Sequence, residues 1–131
     1  MKEISGLPSD SLYIERHETG IDPQYFSYID QGMRGAVTGG TCRKANLSHF
    51  KVCGKTGTAE NVHGRDHSLF IGYAPQEDPK VAVAVIVENG GFGATFGVPI
   101  GRLMIDFYLN DHQLSEESKV YETAMLNSVI Y

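Results

Sequence analysis

The chain has 131 residues, 41% of them hydrophobic, and a net charge of −5, proportions suited to one small globular domain or a piece of a larger one. The acidic balance and the lack of a basic cluster argue against a nucleic-acid partner. No run of 18 apolar residues reads as a membrane-spanning helix, and the first residues lack the apolar core of a signal peptide, so the chain itself is expected to be soluble.

Residues 1–20 read as extended lead-in chain, with a turn signal at Gly6-Leu7-Pro8 and a short β-type run at Leu12-Tyr13-Ile14. Asp22-Pro23 opens a helix: the aspartate can cap free N–H groups, and proline suits a first-turn position whose N–H would be unpaired anyway. Phe26, Ile29, Met33 and Val37 follow at helical spacing as one apolar face, and Gly39-Gly40 ends it. This helix reads as scaffold. Residues 41–50 form a polar connection. Cys42 and Cys53 are too few for a disulfide framework and read as small, partly buried side chains whose pairing stays open.

Three strands are predicted next, over about 50–60, 67–75 and 80–88. They are separated by a polar turn at 61–66 and a tight turn from Pro75 to Pro79. Val81 to Val87 is apolar at every position, which predicts a strand buried on both faces in the middle of a sheet. Asn89-Gly90-Gly91-Phe92-Gly93 breaks the sheet. A helix follows near 98–110, with Pro99 tolerated in its first turn. Its Ile100, Leu103, Met104 and Phe107 form a stripe predicted to lie on the sheet. The tail, 111–131, is polar at first, then weakly helical through Val120, Ala124 and Asn127.

The chemistry concentrates in Val52-Cys53-Gly54-Lys55-Thr56-Gly57-Thr58-Ala59-Glu60. On a strand Thr56 and Thr58 project to one side, because the side-chain period is two, and two hydroxyls in a row can grip one carboxylate. Lys55 supplies a positive charge on a long stem. Gly57 has no side chain, so a substrate backbone can approach and pair with the strand edge. The competing reading is an exposed strand edge that carries these four residues by chance. Gly54-Lys55-Thr56 is not a phosphate-binding loop: His49 stands where that loop needs glycine, and the segment is a strand. His63 and His67 have a metal-like spacing only on a helix; with Gly64 between them they read as a solvated loop. No cofactor and no metal site is expected.

Lys-Thr-Gly is one of three short signatures of penicillin-recognising serine acyl-transfer enzymes. It is followed by His67-Ser68-Leu69-Phe70-Ile71-Gly72-Tyr73-Ala74-Pro75, by Val85-Ile86-Val87-Glu88-Asn89-Gly90-Gly91 and by Gly97-Val98-Pro99-Ile100. In this order and spacing the chain resembles the C-terminal part of the transpeptidase domain of a class B penicillin-binding protein. The His-Gly-Arg-Asp-His insert and the Glu-Asn-Gly-Gly-Phe-Gly-Ala run look most like the penicillin-binding protein 2 branch, the cell-elongation transpeptidases, of Bacteroidetes-type bacteria. The resemblance implies a mixed α/β (α+β) fragment of the fold shared with serine β-lactamases: about three antiparallel strands packed by a C-terminal helix. It also implies a lead-in over 1–20, a folded part over 22–110 and a tail over 111–131.

The implied activity is that of a peptidoglycan D,D-transpeptidase. It cross-links stem peptides through a serine acyl-enzyme, at the extracytoplasmic face of the bacterial plasma membrane, with the membrane anchor upstream. Lys55 matches the motif lysine. The hydroxyls of Thr56 and Thr58 match those that hold the carboxylate of the D-Ala-D-Ala stem peptide or of a β-lactam, and the Thr58 N–H matches half of the oxyanion hole. The nucleophilic serine, its lysine and the Ser-x-Asn motif have no match. Ser48-His49-Phe50-Lys51 carries the letters Ser-x-x-Lys but is expected to enter a strand, where i and i+3 diverge. Tyr108-Leu109-Asn110 follows Lys-Thr-Gly instead of preceding it. The chain alone is therefore expected to be inactive, and to self-associate through the valine-rich edge and bare sheet face that the rest of the domain would cover, the alternative being that its own residues near Leu12–Ile14 cap that edge. The alternatives are a piece of a serine β-lactamase or β-lactam sensor, or a non-catalytic peptide-binding module.

Overall fold

The computed structural model describes residues 18–130. The expected turn at Gly6–Pro8 and the run at Leu12–Ile14 lie outside them. The Asp22 carboxylate accepts the Gln24 N–H at 3.0 Å and starts a single 3-10 turn, Pro23–Tyr25, which leads into helix α1, Phe26–Thr38. A second 3-10 turn, Arg43–Ala45, interrupts the connection. The strands are β1, Cys53–Ala59, β2, His67–Ala74, and β3, Val81–Val87, followed by helix α2, Gly97–Leu109, and helix α3, Glu116–Leu126. No helix among the described residues is long and apolar enough to cross a membrane.

The sheet is antiparallel in the order β1-β2-β3. Its register aligns Thr56 with Phe70 and Val85, and Lys55 with Ile71 and Ala84. Directly opposed residues share a face, so these two rows mark the two sides of the sheet. On the Thr56 side, α2 packs over β2 and β3. Phe70 is fully buried at its centre. Glycines make room for the ring: at Gly54, Gly72 and Gly101, an added Cβ would run into the aromatic atoms. On the Lys55 side, α1 covers one end, where Asp30 accepts from the Tyr73 hydroxyl and from Gln76 Nε2 (2.8 Å). The rest of that side is open, with Ile71 55% and Ile86 68% exposed.

Three sequence expectations change. The β3 strand is not central: among the described residues it is an edge strand, and only Val85 is buried, while Ala82, Ala84 and Ile86 are exposed. An all-apolar sequence permits burial on both faces, but only neighbouring elements supply it. Of the stripe Ile100, Leu103, Met104 and Phe107, only Ile100 packs against the core. The buried face of α2 is Val98, Gly101, Arg102 and Ile105, because the Phe70 ring demands glycine beneath it, and Met104 and Phe107 face outward. Along α1, only Val37 of the predicted apolar face is buried, and Phe26 and Ile29 are exposed.

The tail helix docks through polar groups instead of Val120 and Ala124, which are exposed. Buried Arg102 donates to Ser118 Oγ at 3.1 Å, to the Lys44 carbonyl at 3.1 Å and to the Asn46 carbonyl. It also pairs with Glu117 at 3.1 Å and lies over the Tyr121 ring. Burial raises the Asp106 carboxyl, but the Ser115 and Ser118 hydroxyls and the Ser115 N–H outweigh it and leave the group below the usual carboxylate range. With each Arg102 nitrogen partnered, this network joins α2, α3 and the 43–48 connection.

Candidate functional site

Strand β1 is the site's frame. It pairs with β2 on one side and, among the described residues, with no strand on the other. Alternate residues of such an edge turn both N–H and C=O away from the sheet, so Thr56 and Thr58 share one backbone orientation. Their side chains also share a side, as the period of two requires.

The structure brings the four expected residues onto one strand without converging their side chains. Lys55 is exposed and lies on the opposite side from the threonines, and its Nζ curls back to donate to the Thr56 carbonyl at 2.8 Å. Thr58 is exposed. Thr56 is half-buried, with its hydroxyl 2.8 Å from that of Thr41. Thr41 was not legible: it lies 15 residues away in a polar connection, and only the tertiary path lays it on the strand. Gly57 is opposite Leu69, and the 92–96 turn presses down beside it; a Cβ on Gly93 would lie 2.6 Å from the Gly57 carbonyl oxygen and 3.0 Å from Thr56 Cβ.

Below the motif, the strand is anchored to α1. Arg34 donates to the Val52 carbonyl at 2.8 Å, and Cys53 Sγ lies 3.6 Å from Asp30 Oδ1. The Tyr73 and Gln76 hydrogen bonds hold Asp30 below the usual carboxylate range. Burial and the bond to Asp30 push the Tyr73 phenol up. Cys42 and Cys53 are both unpaired and buried, and burial raises both thiols, so neither is poised as a thiolate.

The two sequence coincidences separate. Ser48 lies in the bend 48–50 and Lys51 between it and β1, because the strand expected from about residue 50 begins only at Cys53. The Ser48 hydroxyl donates to Glu117 at 2.9 Å, while Lys51 pairs with Glu77. Tyr108-Leu109-Asn110 straddles the end of α2. His63 and His67 also serve different surroundings: His63 is exposed in the turn, and His67 belongs to β2, its Nδ1 accepting the Asn89 N–H at 3.0 Å.

Against known families, the penicillin binding protein transpeptidase domain matches residues 12–103. The peptidoglycan D,D-transpeptidase MrdA of Haemophilus influenzae is 38% identical over 98 residues, which is 61% of this chain and 15% of MrdA. Penicillin-binding protein 2 of Pseudomonas aeruginosa, solved in complex with WCK 5153, is 41% identical with a TM-score of 0.58, over 74% of this chain and 23% of that one. Penicillin-binding protein A of Mycobacterium tuberculosis, solved as a penicillin G acyl-enzyme complex, is 36% identical with a TM-score of 0.58, over 68% of this chain and 21% of that one. The chain thus spans less than a quarter of the length of each of these relatives.

Proposed function

Because the chain belongs to the penicillin-binding protein transpeptidase family, we propose that it supplies the substrate-gripping strand of a peptidoglycan D,D-transpeptidase of the elongation type. The observation that carries this reading is the open edge of β1, with Lys55, Thr56, Gly57 and Thr58 in sequence along it. A stem peptide ending in D-Ala-D-Ala, or a β-lactam, pairs with that edge as an added strand. The Thr56 and Thr58 hydroxyls hold its carboxylate, and the Lys55 ammonium supplies the balancing charge. The approach of Lys55 Nζ to the Thr56 carbonyl supports an outward orientation of that peptide group, and of the Thr58 N–H two residues on. An outward Thr58 N–H is placed to donate to the oxyanion that forms when a serine attacks the substrate carbonyl.

The serine itself comes from another segment of the domain, since Ser48 is tied to Glu117 and Lys51 to Glu77. In the full-length protein the reaction takes place outside the cytoplasmic membrane. The chain alone is expected to take no label from a fluorescent penicillin.

The test is acylation of the full-length protein. Lys55→Ala is expected to slow acylation by penicillin at least roughly tenfold, about 1.4 kcal/mol of transition-state stabilisation. Unchanged kinetics would remove Lys55 from the mechanism. Thr58→Val keeps the backbone N–H and is expected to weaken carboxylate binding.

A further inference from the structure

The 88–97 turn that presses on the motif strand is held from its start by Asn89. The Asn89 backbone lies in the left-handed region, with φ 57°, a conformation that asparagine tolerates better than most residues. Its N–H donates to His67 Nδ1 at 3.0 Å, and its Oδ1 accepts from Asn61 Nδ2 at 2.9 Å. Gly64 approaches the same oxygen so closely that an added Cβ would lie 2.6 Å from it. Asn89 thus joins the start of β2, the 61–66 turn and the 88–97 turn. Further along, the Gly91 N–H donates to the Asp66 carbonyl at 2.7 Å. The Ser68 hydroxyl donates to the Phe92 carbonyl at 2.9 Å and accepts the Gly97 N–H at 3.0 Å. Between these last two anchors, Gly93 sits against the Gly57 carbonyl and Thr56 Cβ.

The His67 bond differs from the others in kind. Amides, carbonyls and a serine hydroxyl make the rest of them, and none of these groups titrates in water. A backbone N–H can only donate, so the bond to Asn89 requires an unprotonated Nδ1. Imidazole is the side chain whose ordinary charge change falls between about pH 5 and 8. Once cationic, the ring carries a hydrogen on each nitrogen, and two donors face each other where one bond had been. The ring is half-buried, and among the described residues the Asn89 bond is its one hydrogen bond. The charged and titratable groups around it come from three segments. Glu60 follows Ala59, its partner on β1, and Glu88 follows Val87, the partner of Ser68 on β3. The 61–66 turn brings His63, Arg65 and Asp66, and the Asp66 carboxylate faces the Asn61 N–H at 3.4 Å.

Building on the transpeptidase reading above, we propose that His67 is a positioning residue that couples a proton to the motif strand: neutral His67 clasps Asn89 and seats the 88–97 turn beside Thr56 and Gly57, and protonated His67 releases it. The residue touches neither substrate nor reacting atoms. Its effect is to make acylation slow as the surroundings turn acid, through the turn that steadies the strand.

The experiment follows acylation of the full-length protein by a fluorescent penicillin from about pH 8 to about pH 5.5. The unmodified protein is compared with His67→Asn, whose Oδ1 is attached at the same position as the imidazole Nδ1 and accepts the Asn89 N–H without titrating. The ratio of the unmodified rate to the His67→Asn rate is expected to be near one at the alkaline end and to fall at least about threefold at the acid end, as the loss of one hydrogen bond implies. Hydrogen exchange is read over 88–97 in the same proteins, corrected for the intrinsic effect of pH. It is expected to quicken on acidification in the unmodified protein and not in His67→Asn, whereas His67→Leu, which has no acceptor, exchanges quickly throughout. A ratio that stays constant with pH overturns the coupling. Exchange over 88–97 that acid leaves unchanged in the unmodified protein overturns the clasp, with no variant needed. A full-length protein that penicillin does not label overturns the proposed function, and exchange then decides the clasp by itself.

Discussion

The two sides of the sheet are built on opposite principles. On the Thr56 side, one ring, Phe70, is enclosed by α2 and by glycines on three elements, and the polar network of Arg102 and Asp106 ties the tail helix behind it. On the Lys55 side, α1 covers only the Tyr73 end and leaves Ile71 and Ile86 in water. The first side is complete in its own contacts. The second is an apolar surface waiting for a cover. The motif strand lies along the boundary, with its threonines toward the completed side and its lysine toward the open one. Rigidity along the motif strand is thus supplied from one side, while the other side stays open.

The largest effect should come from emptying the completed side. Phe70→Ala removes a fully buried ring that three glycines have been shaped around, so collapse to fill the space is hindered, and a loss of about 3–5 kcal/mol is expected in chemical denaturation. A loss below about 1 kcal/mol would show that the two sides do not differ in this way. The open side is probed by size. The isolated chain is expected to self-associate at about a hundred micromolar, through the β3 edge and the exposed Ile71 and Ile86, and Ile86→Lys to make it monomeric by light scattering. Val85 is buried and would report on folding instead. A chain that is monomeric without the substitution removes the edge as an association surface.

The smallest effect is one of pH. The folded-state pKa of Asp30 is depressed by Tyr73 and Gln76, so its contribution to stability is fully present above the unfolded aspartate value of about 3.9 and is lost as pH falls through the lower folded value. Asp106 behaves with the same sign on the other side of the sheet. Acidification below about pH 4 is therefore expected to loosen both α1 from β2 and α3 from α2, as read by hydrogen exchange. Asp30→Asn should blunt the first change without touching the second.

Much of this was readable from the chain, for definable reasons. The strands and turns announce themselves through local composition, and Asp22-Pro23 marks the helix start through capping chemistry. The shared side of Thr56 and Thr58 follows from strand periodicity alone. What escaped depends on distant partners. The buried face of α2 is dictated by a ring on β2, so the conspicuous apolar stripe misleads. The α3 helix docks by Ser118 and Glu117, which look like surface polar residues until Arg102 is placed beneath them. Strand β3 has a sequence fit for burial on both sides, and no local signal tells whether a neighbour is there to provide it. At the site, neither Thr41 nor the joining of the 61–66 and 88–97 turns has a sequence pattern.

The hydroxyl pair of Thr41 and Thr56 has one consequence of its own. Each hydroxyl owns a single hydrogen, and only one of the two can lie between the oxygens, 2.8 Å apart. If Thr56 points its hydrogen at Thr41, it presents only lone pairs outward and repels an anion. If Thr41 points its hydrogen at Thr56, the Thr56 hydrogen is released to face a carboxylate. Arrival of a negatively charged ligand therefore selects the second arrangement, and the polarity of the motif strand is set by the rotation of a hydroxyl that lies outside the strand.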